Sequence, residues 1–145
     1  MRLFLAVAAL ILSGLAVAQD ISLPDYERVV LDNGTVLLLA EKHDVPLVGL
    51  QAMVRGGTAA DPVERAGMAS LLATLLEKGA GDRDAATFAE AAAAGGGSIG
   101  AGAEMESFTV MADFLSRDAE LMIELVADML MRPTLAEEEF VKAVS

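Results

Sequence analysis

Gly67-Met68-Ala69-Ser70-Leu71-Leu72-Ala73-Thr74-Leu75-Leu76-Glu77-Lys78-Gly79 is apolar at most positions and closes on a glycine. Such a run with a glycine stop reads as a helix. Its continuous apolar character predicts burial on most sides. Just upstream, Asp61-Pro62-Val63-Glu64 has the order of an N-cap, a first-turn proline and an N3 glutamate. That order is the capping-box pattern that opens a helix.

Towards the N-terminus, residues 26–40 hold two β-type runs around Asn33-Gly34, a turn pair typical of tight hairpins. A polar break at Glu41-Lys42-His43-Asp44 and Pro46 precedes residues 48–54, whose loose alternation suits a third strand. Arg55-Gly56-Gly57-Thr58 ends it. Towards the C-terminus, a second helix is predicted from about residue 84 to residue 94, ended by Gly95-Gly96-Gly97. Ala91-Ala92-Ala93-Ala94 leave little side chain, so a neighbour is expected close to the last turn. Residues 98–103 and 107–114 read as a pair of strands, the first built only of Gly, Ala, Ser and Ile. A third helix, capped by Ser116, carries Leu121, Met122, Leu125, Val126, Met129 and Leu130 on one stripe and stops at Pro133. Methionines inside such a stripe read as core filler rather than as soft-metal ligands. Thr134-Leu135-Ala136-Glu137 is another capping box, opening a helix without a C-cap; an incomplete first domain is expected from it. The element order predicts an α+β fold, an antiparallel-dominated sheet with helices packed on one face. The domain reading is a signal over residues 1–18 followed by a partial domain over residues 19–145.

Composition narrows the chemistry. The chain has 145 residues, one His and no Cys. Without Cys there is no disulfide framework, thiolate metal site or cysteine nucleophile. One imidazole cannot make a two-histidine zinc site. Ten basic against 22 acidic residues, a formal charge of -12, disfavour nucleic-acid binding. Met1-Arg2 followed by the apolar run of residues 3–12 and Ala16-Val17-Ala18 reads as a secretory signal cleaved before Gln19, with a periplasmic destination. The competing reading is a membrane anchor, but the run is about 16 residues, short of the roughly 20 that span a bilayer. After cleavage no membrane association is expected.

Several pieces in order carry a resemblance. They are Leu31-Asp32-Asn33-Gly34, Val54-Arg55-Gly56-Gly57-Thr58, the quoted stretch from Gly67 to Gly79, Gly95-Gly96-Gly97-Ser98-Ile99-Gly100-Ala101, and Arg132-Pro133 before Glu138-Glu139-Phe140. Together they resemble the start of the pitrilysin/insulinase zinc metallopeptidases, the group that includes the mitochondrial processing peptidases. The resemblance implies a clamshell of two halves or subunits around a chamber. Active members carry H-x-x-E-H on the first helix: two His hold zinc and the Glu activates bound water. On this chain those positions read Ser70, Ala73 and Thr74. A hydroxyl is a poor zinc ligand, and alanine supplies no base. By the family's spacing, the third ligand, a Glu, would fall just past Ser145.

The resemblance also implies that substrate peptide adds as a strand at the edge formed by Ser98, Ile99, Gly100, Ala101 and Gly102. Small residues let another backbone approach closely; equally, they permit tight packing under a helix. Other candidates are weaker. His43 lies in a polar loop, and Glu77 lacks His partners. Glu104 and Glu106 flank a strand start, and Glu137, Glu138 and Glu139 suit a helix N-terminus. Ser70 has no base to activate it. Gly95-Gly96-Gly97-Ser98 follows a helix rather than opening one, so it is no phosphate loop. No catalytic or metal residue is assigned and no cofactor is expected on this chain; zinc is expected in a catalytic partner. The reading is a non-catalytic homologue of an exported zinc metallopeptidase, a heterodimer subunit that binds peptide beside a homologous catalytic subunit. The alternatives are a stand-alone peptide-binding or scaffold protein, or an active zinc endopeptidase with unrecognised ligands.

Overall fold

The computed structural model describes residues 24–144, in two compact units divided between His43 and Asp44. The signal reading of residues 1–18 lies outside the described residues. In the first unit, β1 (Glu27–Val30) and β2 (Val36–Leu39) pair antiparallel, Glu27 opposite Leu39 and Val30 opposite Val36. Asn33-Gly34 turns the hairpin as the sequence predicts, but in a longer loop than a two-residue turn. The Gly34 N–H donates to Leu31 C=O and the Leu31 N–H to Thr35 C=O, both at 2.9 Å. This is a three-residue connection, the next commonest hairpin loop.

The second unit is built on a three-stranded antiparallel sheet. Its strands are β3 (Leu47–Arg55), β6 (Ser98–Ala103) and β7 (Ser107–Leu115), with β7 central. Side chains alternate between the faces of a strand. On β7, Val110, Ala112 and Phe114 are buried while Met111 and Asp113 are exposed. Val48, Leu50 and Ala52 on β3 and Ile99 and Ala101 on β6 share the covered face. Helices cover it: α1 (Met68–Leu76) contributes Leu76, and α2 (Ala85–Ala94) contributes Phe88 and Ala92. From α3 (Ala119–Met131) come Met122, Leu125, Val126 and Met129. Both methionines are sealed in this core, Met129 at 0% exposure. The α+β class and the one-sided helical layer therefore match the sequence expectation.

The glycines before β6 have a steric reason. A Cβ on Gly97 would lie 2.4 Å from Cγ of the Phe114 ring, which is fully buried. The same ring crowds Gly95, while of the four alanines only Ala92 is buried, and Ala93 and Ala94 are exposed. At the other end of the sheet, residues 56–59 dock on the β6–β7 turn. The Gly56, Thr58 and Ala59 N–H groups donate to the carbonyls of Glu106, Glu104 and Met105 at 3.0, 2.8 and 2.8 Å. Gly57 (φ +71°) sits so close to this turn that a Cβ would be 2.2 Å from the Glu104 carbonyl.

Two short strands, β4 (Gly79–Ala80) and β5 (Arg83–Asp84), pair with each other. β4 also meets the chain after α3. Gly81 N–H donates to Arg132 C=O at 2.8 Å, Thr134 N–H donates to Gly79 C=O at 3.0 Å, and Ala80 bridges Pro133. Beside them the buried Asp128 carboxylate accepts from Arg83 Nη1 at 3.2 Å and from Arg132 Nη2 at 2.6 Å. Helix α4 (Glu137–Val144) follows.

Three helix starts differ from expectation. α1 begins at Met68, not after Pro62; residues 63–65 form a separate 3-10 turn. Asp61 still caps α1, but from a distance: its carboxylate accepts from the Gly67 and Ala69 N–H groups at 2.8 and 3.0 Å. Ser116 opens a 3-10 turn ahead of α3 without a side-chain cap bond. Thr134 donates its hydroxyl to Arg83 C=O at 3.4 Å rather than capping α4. α2 starts where expected, and Asp84 caps it, accepting from the Thr87 N–H at 2.8 Å.

Candidate functional site

α1 is not buried on most sides. Ala73, Leu75 and Leu76 face inward, while Met68, Ser70, Leu72 and Thr74 are exposed. Ser70 and Thr74 are one turn apart and stand on the same side of the helix. They line a cleft of about 700 Å³ whose opposite wall is Phe140 and Val144 of α4. The Thr74 hydroxyl turns back to the helix and donates to Ser70 C=O at 3.2 Å. Ala73 is 5% exposed and carries no donor atom. This trio does not suit zinc. Two hydroxyls, the Thr74 one engaged with its own helix, and a methyl group offer neither imidazole nor carboxylate.

No other described residues make up the difference. Among the described residues there is no group of three or more His, Cys, Asp or Glu side chains placed to hold a metal ion. His43 lies in the first unit, largely exposed, with Nε2 3.6 Å from a Glu41 carboxylate oxygen. Glu104 and Glu106 are exposed at the β6–β7 turn, and Glu137, Glu138 and Glu139 lie in the first turn of α4.

The small-residue strand Ser98, Ile99, Gly100, Ala101 and Gly102 lies in β6, at one edge of the sheet. Its pairing with β7 runs from Ser98 opposite Asp113 to Ala103 opposite Phe108. α1 packs beside it. The sequence reading set Glu77 aside because it has no His partners. The fold gives it a different contact: its carboxylate accepts a hydrogen bond of 2.9 Å from the Ala101 N–H. The two residues are 24 positions apart, so spacing alone does not reveal the bond. The available signal was a carboxylate at the C-terminal end of a helix, where the helix dipole disfavours it.

A three-stranded antiparallel sheet with one face covered by helices, and an edge strand of small residues beside α1, define an α+β domain. The chain belongs to the insulinase family (peptidase family M16), whose model matches residues 36–145. Solved structures agree in fold. The inactive domain of a peptidase M16 from Pseudomonas fluorescens superposes with a TM-score of 0.74 at 20% identity, over 81% of this chain and 29% of that one. A protease from Helicobacter pylori gives 0.73 at 21% identity, over 83% and 29%. Pitrilysin gives 0.72 at 24% identity, over 86% and 13%. The chain thus spans under a third of each of these proteins. No curated protein sequence matches it.

Proposed function

We propose that this chain is a non-catalytic subunit of an exported zinc metallopeptidase, which completes the substrate chamber and holds extended peptide while a homologous zinc-bearing subunit cuts it. The observation that carries this reading is the exposed face of α1. By the family resemblance Ser70 and Thr74 take the positions of the two imidazoles, and Ala73, buried behind them, takes that of the base; none of the three supplies an imidazole or a carboxylate. The frame around them is retained, and a similar fold occurs in an M16 domain described as inactive. Peptide would add along Ser98, Ile99, Gly100, Ala101 and Gly102, at an outer sheet edge made of small residues. Export would follow from residues 1–18, with the periplasm as destination.

Affinity purification from the native host tests this. The expected result is co-purification with a homologue that carries H-x-x-E-H, and no stoichiometric zinc on this chain alone. N-terminal sequencing of the recovered chain should begin at Gln19. Stoichiometric zinc together with peptide cleavage by the isolated chain would overturn the proposal. Installing Ser70→His, Ala73→Glu and Thr74→His should raise zinc affinity, measured by calorimetry.

A further inference from the structure

We infer that Glu77 is a built-in guard of the β6 edge, holding the backbone position that an added strand must take. In an antiparallel pair, alternate residues turn their backbone groups toward the partner strand and away from it. Glu104 N–H donates to Ser107 C=O at 2.8 Å, and these residues continue the β6–β7 register. Counting back by twos, Gly102, Gly100 and Ser98 face β7. Ile99, Ala101 and Ala103 therefore turn their N–H and C=O groups outward. Ala101 is the middle one of these three, and its N–H is the one Glu77 occupies.

Three features single this contact out from ordinary surface bonding. The bond is charge-assisted, which makes it stronger than a neutral one. The carboxylate sits at the C-cap of α1, against the helix dipole, so helix stability does not account for it. Glu77 also fits closely over bare backbone: its Oε1 lies 3.2 Å from where a Cβ on Gly100 would be, so a larger residue there would crowd it. Beside the bond, a cleft of about 320 Å³ lined by Glu77, Lys78, Phe88, Ala92, Ser98 and Ile99 opens to solvent. The carboxylate has room to swing into that cleft, leaving the core in place. Exposed edges invite pairing with any extended chain, and charged side chains at the edge are a common defence. A peptide that binds β6 must displace Glu77 from Ala101, so the guard sets a threshold for strand addition. This part rests on the peptide-binding reading above.

Glu77→Ala and Glu77→Gln variants of the full chain, checked for folding by circular dichroism, test it. Gln keeps an acceptor oxygen without the charge, so it should retain part of the contact. Hydrogen exchange at the Ala101 amide should quicken by about tenfold in Glu77→Ala and less in Glu77→Gln. A soluble synthetic peptide of alternating threonine and valine should bind Glu77→Ala about tenfold more tightly than the wild type, protecting residues 99–103. Unchanged exchange at Ala101 in Glu77→Ala overturns the guard, and so does equal peptide affinity at β6 in the two proteins. Quicker exchange with no peptide bound by either protein supports the guard as edge protection and removes the peptide-binding reading.

Discussion

Gly97→Ala adds one methyl group, and the structure says what that group meets. Its Cβ would lie 2.4, 2.5 and 2.6 Å from Cγ, Cδ2 and Cδ1 of Phe114. Carbon atoms pack at about 3.5–4.0 Å, so the ring must retreat by roughly 1 Å. Phe114 is 0% exposed and belongs to the same core as Leu125 and Met129. It cannot move without moving them. Overpacking of this kind costs about 1–3 kcal/mol, and a collision with a sealed ring belongs at the upper end. Restricting the unfolded chain returns about 0.4–1 kcal/mol. The net expectation is destabilisation by about 2 kcal/mol. The chain has no Trp, so urea unfolding is best followed by circular dichroism. The midpoint should fall with little change in slope. Shrinking the ring in Phe114→Leu should relieve the clash, leaving the double variant more stable than the two single losses imply by about 1 kcal/mol. A Gly97→Ala midpoint at or above the wild type would refute the steric account.

Three further outcomes are expected. Asp61→Ala removes the acceptor for the Gly67 and Ala69 N–H groups and should cost about 1 kcal/mol in urea unfolding, with Asp61→Asn costing less; no difference between Asp61→Ala and wild type would show that water caps α1 equally well. Asp128→Ala leaves Arg83 and Arg132 without their shared carboxylate. Breaking a buried pair costs about 3–5 kcal/mol, but Arg132 is largely exposed and rehydrates, so about 2 kcal/mol is expected by the same assay. The Thr87 hydroxyl and backbone N–H hold the Asp84 carboxyl below its usual 3.8. That bond therefore stabilises the folded state above pH 3.8, and the contribution is lost as pH falls through the lower folded value. Acid unfolding of Asp84→Asn should accordingly be less steep over that range, and an identical acid limb would count against the cap.

Much of the fold was legible because its signals are local. Asn33-Gly34 turns a hairpin, α2 spans the residues expected, and the stripe of α3 enters the core from Leu121 to Met129, with only Leu130 left exposed. The errors arise where a local pattern is overridden from elsewhere in the chain. Asp61 looked like the N-cap of a helix opening at Pro62, but it reaches over a 3-10 turn to cap one that begins later. Thr134 looked like a cap, but the return of β4 beside it takes its N–H, while its hydroxyl goes to Arg83. The exposure of Met68 and Leu72 could not be read from a run that is apolar all round. At the candidate site, the resemblance pointed to Ser70, Ala73 and Thr74; the fold brings Ser70 and Thr74 to one cleft and buries Ala73. The bond from Ala101 to Glu77 was not, because it depends on a helix end meeting a strand that follows it by a whole further helix.

The stitch between residues 79–81 and residues 132–134 has a mechanical consequence. Chain entering at Gly79 and leaving at Thr134 passes through the same point, so everything between them forms a closed ring. α1 runs into that ring and α4 runs out of it, and the two are in contact. Both join the ring at this one pivot, and the cleft between Thr74 and Phe140 lies between them. Loosening Asp128, which anchors the pivot from the side, should therefore widen or narrow the cleft beside Ser70 without touching any residue that lines it.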